Sequence, residues 1–238
     1  MTNPIVDLSM RKAAIVAGIT ILIMTVAAIA ATDLTIGSLI VEDNAAVTTN
    51  NIQASETLFR TGIFSWLIIL ICDVLAAWGL YIFLKLVNNS LSLIMAWFRL
   101  VYAAILGAAI LNFIDVLSLI GGDGYLNGFD VAQVQSMVMR SINGFYALWS
   151  VGLIIFGIHI YLLGYLIVKS GYMPKTLGIL LLLASIGYIA TNLIDLLLPA
   201  YEAISNIIEW IFILPMLSEV ALGFWLLLKG GKISEKSI

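Results

Sequence analysis

The feature that most constrains this chain is a series of apolar runs, each long enough to cross a lipid bilayer. One of them, 144–168, holds the only histidine of the 238 residues, His159. A helix rises about 1.5 Å per residue, so roughly 20 apolar residues cross the ~30 Å hydrocarbon core of a membrane. Hydrophobic residues form 62% of the chain and charged residues 11%, against roughly half and about a quarter in soluble domains. The sequence therefore predicts a polytopic membrane protein that is an all-α helical bundle.

Six spanning helices are expected, in a single membrane domain that covers residues 1–238. The predicted spans are 13–31, 62–86, 92–120, 144–168, 174–198 and 207–228, and the longer loops, 32–61 and 121–143, are expected on the outer side. The first run follows Arg11 and Lys12, and it fits either a spanning helix or a signal peptide cut after Ala30. Because the run is longer than a signal sequence needs, we expect a retained helix.

Cap signals predict two further helices in the loops. Asn50 and Gln53 have the spacing of a capping box, which indicates a short helix that leads into the second span. Asp130 and Gln133 repeat that spacing before an apolar face of valines, which indicates an amphipathic helix on the membrane surface. Pro174 lies where the first turn of the fifth span accepts proline.

The cations predict the orientation of the bundle. If the six helices alternate in direction, one side receives Arg11, Lys12, Lys85, Lys169, Lys175, Lys229, Lys232 and Lys236, while the other is acidic, with Arg60 and Arg140 as its cations. Lysine and arginine are enriched in cytoplasmic loops. We therefore expect both termini in the cytoplasm and a multi-pass protein of the cell membrane.

Four ionisable residues are expected at one depth inside the membrane. His159 precedes Lys169 by the same spacing as Glu219 precedes Lys229, and Asp73 and Arg99 fall at a similar height in their own spans. An unpaired charge at the centre of a membrane helix costs roughly 2.5–3.5 kcal/mol. We expect Arg99 to neutralise one carboxylate and His159 to take the other. These four residues are the candidate ligand or proton site.

A second polar layer is predicted nearer the outer side. Asn112 with Asp115, and Asn192 with Asp195, have the i, i+3 spacing that places both side chains on one helix face. Each pair can form part of one polar wall. Pro215 precedes Glu219 by one turn, and a proline there removes a helix hydrogen bond, so it is the predicted hinge.

Other chemistries find little support in the residues. His159, Asp73 and Glu219 are ligand types for zinc or iron, but one histidine and a single cysteine, Cys72, make a metal site or a haem poorly supported, and no cofactor is expected. No Gly-rich phosphate loop, nucleophile elbow or HExxH motif occurs. No basic stretch follows a phosphate backbone, so nucleic acid is not an expected partner.

Several stretches resemble a known membrane family. They include RKAAIVAGI, NNIQASETLFRTGI, YIFLKLVN, AWFRLVYAAIL, FGIHIYLLGYLIVKSGYMPKTLGILLL, GYIATNLIDLLLP and SEVALGFWLLLKGG, in this order over nearly the whole chain. The chain is similar to the family named domain of unknown function 4386. The resemblance implies a retained first helix and a single membrane domain. It implies no activity, and no catalytic residue is carried over from it.

Three functions remain open from the sequence. The chain is a carrier or binding protein for a small molecule or protons, an enzyme that acts on a lipid-like substrate with His159 as base, or a non-catalytic module whose buried charges set helix register. The first is favoured because ionisable groups on several helices mark pathways. The expected partners are the bilayer, a small molecule or lipid, and a second copy of the chain, since a full transporter of this size would need to dimerise.

Overall fold

The computed structural model describes residues 9–121, 128–198, 204, 207–208, 210–211 and 217–230, and these residues form helices and turns without a β-strand. In chain order they are α1 (Met10–Ile29), a π-helical segment (Ala30–Thr35), α2 (Ile36–Leu39), α3 (Ala45–Ala54), α4 (Glu56–Leu84), α5 (Asn89–Ile120), α6 (Val131–Ser170), α7 (Lys175–Leu197) and α8 (Ser218–Leu228).

Five stretches are long and apolar enough to cross a membrane, namely Met10–Leu39, Glu56–Leu84, Asn89–Ile120, Val131–Ser170 and Lys175–Leu197. The prediction of an all-helical chain with long apolar helices is confirmed. The described part of the predicted sixth span is mainly α8, a shorter apolar helix, and Pro215 lies outside the described residues.

One prediction about the loops is wrong. The expected surface helix and the fourth span form one helix of 40 residues, α6, because no proline or glycine interrupts the chain between Val131 and Asn143. The capping box that starts it, from Asp130 to Gln133, is present as predicted. The expected outer loop 32–61, for which a short helix was predicted, contains α2 and α3.

The predicted cap at Asn50 is wrong as well. Helix α3 begins earlier, where the Asn44 side chain accepts a hydrogen bond of 3.0 Å from the Val47 N–H. The Thr48 hydroxyl also binds the backbone N–H and carbonyl of Val41, at 2.9 and 3.0 Å. Because these contacts close the turn before α3, Asn44 becomes the cap and Asn50 falls within the helix.

The long helices form a ring in chain order. Helix α1 packs on α4, α4 on α5, α5 on α6 and α6 on α7, while α8 packs on α1 and makes a smaller contact with α7. Helix α8 therefore closes the ring between the first and the last long helix. This arrangement turns one face of each helix towards a common interior.

Small residues allow α6 and α7 to approach closely. A Cβ atom added at Gly164 would lie 2.7 Å from the Gly178 carbonyl oxygen, so only glycine fits at this contact.

The hairpin between the two helices turns at Gly171, whose φ of 74° favours glycine. The Tyr172 hydroxyl donates a hydrogen bond of 3.0 Å to the Phe83 carbonyl at the end of α4, and burial raises the pKa of Tyr172 to about 12. The phenol therefore keeps the proton that it donates, and the turn stays attached to α4.

Gly164→Ala is expected to lower the stability of the bundle. The new methyl group would press on backbone atoms of α7, and overpacking of this kind costs about 1–3 kcal/mol. Thermal unfolding of the purified chain in detergent measures the effect. Gly128→Ala is the matched control, because its Cβ has no neighbour within 4 Å. Equal melting temperatures for the two variants would contradict the close contact.

Candidate functional site

Arg99 lies at the centre of the polar interior. It is on α5, its side chain is 0% exposed, and a guanidinium has five N–H groups to satisfy. Its Nε and Nη2 atoms lie 2.9 and 2.8 Å from Asp73 Oδ1 on α4. Its Nη1 lies 2.9 Å from Glu219 Oε1 on α8 and 3.1 Å from His159 Nε2 on α6. Its Nη2 also lies 3.3 Å from Met24 Sδ on α1. Each N–H therefore has an acceptor.

The same guanidinium also packs on an aromatic ring. Arg99 Cζ lies 5.2 Å from the centroid of the Phe156 ring, a distance at which the π face of the ring attracts a cation. The geometry brings all four residues of the predicted inner layer, Asp73, Arg99, His159 and Glu219, into one cluster. For brevity we call these four residues the Arg99 cluster.

The cluster differs from the sequence prediction in how its members pair. Arg99 binds both carboxylates, whereas His159 was expected to take one of them. Arginine can only donate, so His159 Nε2 must accept from it. His159 Nδ1 then donates to the Met95 carbonyl oxygen, 2.9 Å away. Both ring nitrogens are occupied, and the imidazole is held as the neutral Nδ1–H tautomer.

The negative and positive charges in the Arg99 cluster are unequal in number. Two carboxylates, Asp73 and Glu219, face one guanidinium, and the imidazole adds no charge. Both of the Arg99 contacts to Asp73 use Oδ1. The second oxygen, Asp73 Oδ2, is buried and has no hydrogen-bond partner within the described part of the chain. Among the described residues, no group of three or more His, Cys, Asp or Glu side chains is placed to hold a metal ion.

A cavity of about 1080 Å³ lies against this cluster inside the ring of helices. Asp73, Arg99 and Glu219 line it, whereas His159 is not among its described lining residues. The other described lining residues come from every long helix of the ring, from α8 and from the π-helical segment, with Glu42 from the turn before α3. His159 therefore supports Arg99 from behind and does not face the cavity.

The predicted outer polar layer is divided by the structure. Asn192 and Asp195 on α7 line the cavity. Asn112 instead donates to the Ala109 carbonyl of its own helix, at 3.1 Å, and Asp115 accepts a hydrogen bond from the Ser141 hydroxyl on α6. Asp115 therefore joins α5 to α6, and neither Asn112 nor Asp115 is among the described lining residues of the cavity.

Sequence reasoning missed the aromatic wall of the cavity. Trp149 Nε1 donates to the Tyr102 hydroxyl at 3.4 Å, and the Phe156 ring centroid lies 4.8 Å from Tyr102 and 5.4 Å from Tyr188. Tyr146 continues this row, 6.4 Å from Trp149. A signal for it exists on α6, where positions 146, 149, 153 and 156 have the spacing of one helix face.

The family comparison agrees with the resemblance noted in the sequence. Residues 16–230 match the family described as Domain of unknown function (DUF4386), so this membrane-helix chain belongs to that family. An uncharacterized protein of Archaeoglobus fulgidus (strain ATCC 49558 / DSM 4304 / JCM 9628 / NBRC 100126 / VC-16) is 38% identical over 174 residues, which are 73% of this chain and 85% of the relative. No solved structure matches the chain.

Arg99→Met is expected to destabilise the fold strongly. The substitution leaves two buried carboxylates without a counter-charge, and breaking a buried ion pair in this way costs about 3–5 kcal/mol. Unfolding of the purified protein in detergent measures the loss. Combining Arg99→Met with Asp73→Asn and Glu219→Gln should recover part of it, because the uncompensated charges are then removed.

Arg60→Met is the matched control for that series. Arg60 pairs with Glu56 at 2.6 Å in an exposed i, i+4 bridge, and exposed pairs contribute about 0–1 kcal/mol. If Arg99→Met lost no more stability than Arg60→Met, the Arg99 cluster would not be holding the helices together.

His159→Gln is expected to preserve stability better than His159→Leu. Glutamine offers both an acceptor for Arg99 and a donor for the Met95 carbonyl, whereas leucine offers neither. A buried polar group left without its partner costs about 1–3 kcal/mol. Thermal unfolding of both variants tests the tautomer argument. Equal loss in the two would mean that the imidazole acts only through its shape.

Proposed function

We propose that this chain is a membrane protein with six spans that binds a small molecule in a water-accessible cavity within the bilayer. In this proposal residues 1–238 form one membrane domain, both termini lie in the cytoplasm, and the protein resides in the cell membrane. The observation that carries the proposal is the cavity of about 1080 Å³, which Asp73, Arg99 and Glu219 of the Arg99 cluster line. Ligand pockets for drug-sized molecules have volumes of roughly 300–1,000 Å³.

The position of charged residues supports the six spans and their direction. Lys85 and Lys229 are the C-caps of α4 and α8, Lys169 lies in the last turn of α6, and Lys175 begins α7. These lysines share one side if α8 belongs to a sixth span, and the positive-inside rule assigns that side to the cytoplasm. The acidic residues Glu42 and Asp195 line the cavity, so it opens outward in this orientation.

Movement of the ligand or of protons fits the same geometry. Asp73 and Glu219 are carboxylates inside the membrane, and Glu219 keeps 13% of its side chain exposed where it lines the cavity. Ionisable residues in such positions are typical of ion and substrate pathways. A carrier built on this chain would use the Arg99 cluster as its inner gate and would act as a homo-oligomer.

A purely structural role for the cluster is the second candidate. Arg99 contacts helices α1, α4, α6 and α8, as a clamp that sets helix register would. An enzyme is less favoured, because both nitrogens of His159 have partners and the imidazole is not among the described lining residues. The clamp and the binding site differ in one respect: only the latter needs water in the cavity.

Ser150→Cys in a Cys72→Ala background is expected to react with a charged, membrane-impermeant thiol reagent applied outside intact cells. Ser150 lines the cavity, and the thiolate that reacts requires water. Removal of Cys72, the one native cysteine, leaves a single thiol to label. Mass spectrometry of the purified protein measures the modified fraction.

Val101→Cys in the same background is the matched control. Val101 lies on α5 and is 48% exposed. In this proposal it faces lipid, which excludes the charged reagent. Labelling at position 150 but not at 101 supports an open, wet cavity. If position 150 were labelled only after detergent solubilisation, the outward opening of the cavity would be overturned. If it were labelled neither in cells nor in detergent, the presence of water in the cavity would be overturned.

A further inference from the structure

We propose that the cavity takes an organic cation, an ammonium or similar charged centre that carries apolar groups. This inference rests on the proposed function, since it names the class of ligand that the same cavity binds. Three features of the described residues carry it: the sign of the charge that lines the cavity, a carboxylate oxygen of a lining residue without a hydrogen-bond partner among them, and a wall of aromatic rings.

The lining residues carry an excess of negative charge. Glu42, Asp73, Asp195 and Glu219 line the cavity, and Arg99 is the one lysine or arginine among the described lining residues. An anionic ligand would need Arg99 to offer it a donor. All five N–H groups of Arg99 already have acceptors within the protein. The charge of the described lining residues therefore disfavours anions, and Arg99 has no free N–H with which to hold one.

One of the residues that line the cavity has a carboxylate oxygen without a hydrogen-bond partner among the described residues. Asp73 is 1% exposed and lines the cavity, and its Oδ2 atom has no hydrogen-bond partner in the part of the chain that the structure describes. A buried carboxylate oxygen without a donor is unfavourable. A cationic group that enters the cavity would supply the missing positive charge, and the ligand would then balance the second carboxylate of the Arg99 cluster.

The aromatic wall suits the rest of such a ligand. Tyr102, Tyr146, Trp149, Phe156 and Tyr188 all line the cavity and contact one another in a row. Ring faces attract ammonium groups and pack against apolar substituents, and such contacts strengthen where water is excluded. Arg99 already lies over Phe156, which illustrates the same attraction within the protein.

An inorganic cation fits the site less well than an organic one. Among the described residues no three His, Cys, Asp or Glu side chains come together as a metal site, and the carboxylates among the described lining residues lie on α4, α7, α8 and the turn before α3. A cavity of about 1080 Å³ with aromatic rings is suited to a larger ion. Charge and shape together point to an organic cation of low polarity around its charged centre.

Tetraphenylphosphonium and tetraphenylborate provide a test, because they have the same shape and opposite charge. Equilibrium dialysis of the full-length protein in detergent measures the binding of each ion. We expect saturable binding of tetraphenylphosphonium and none of tetraphenylborate. Asp73→Asn should weaken the binding by about tenfold or more, since the carboxylate charge that attracts the cation is removed.

Two further variants keep the test decisive if Asp73→Asn folds poorly. Asp195→Asn changes an exposed carboxylate that lines the cavity and should also weaken binding of the cation, by roughly twofold to tenfold, since an exposed charge contributes less. Asp115→Asn is the matched control: it changes a carboxylate of α5 that bonds Ser141 away from the cavity, and it should leave the affinity unchanged.

The outcomes separate this inference from the proposed function. Equal binding of the two ions, or tetraphenylborate binding alone, would show a binding site without preference for cations and would overturn the inference alone. Binding of neither ion would also overturn it, while the labelling of position 150 would still decide whether the cavity is wet and open. Equal loss of binding in Asp195→Asn and Asp115→Asn would show that the cavity does not hold the cation.

Discussion

A guanidinium in an apolar interior must have its charge balanced and its N–H groups accepted, and the bundle meets both conditions at Arg99. The acceptors come from four other helices: Met24 on α1, Asp73 on α4, His159 on α6 and Glu219 on α8. Each acceptor fixes the rotation of its helix about its own axis. Since lipid supplies no hydrophobic force between helices, polar contacts of this kind and close packing determine how the ring assembles.

The charges within the same cluster do not balance. Two carboxylates face one guanidinium beside a large cavity. Asp73 illustrates this imbalance. Its Oδ1 atom holds Arg99, and its Oδ2 atom is left without a partner among the described residues. One residue therefore holds Arg99 with one carboxylate oxygen and keeps a second, buried oxygen without a partner among the described residues.

The sequence predicted the depth of the site residues along their helices, but it did not predict the direction that their side chains face. Distance along a helix follows from residue spacing, so the common depth of the four ionisable residues was predictable. Rotation about the helix axis does not follow from spacing, and it is set by packing. The Asn-x-x-Asp pattern occurs on both α5 and α7. Because packing rotates the two helices differently, Asn192 and Asp195 line the cavity, while Asp115 bonds Ser141. The pairing of His159 with Arg99 was missed for the same reason.

Helices α1 and α6 contribute different kinds of residue to the wall of the cavity. On one side, the end of α1 and its π-helical continuation present small and polar residues such as Thr25, Ala28 and Thr32. A π-helical segment widens the turn and is frequent beside functional sites. On the other side, α6 continues without a break and presents rings at helical spacing. The cavity therefore has small and polar residues from the end of α1 and aromatic rings from α6 in its wall.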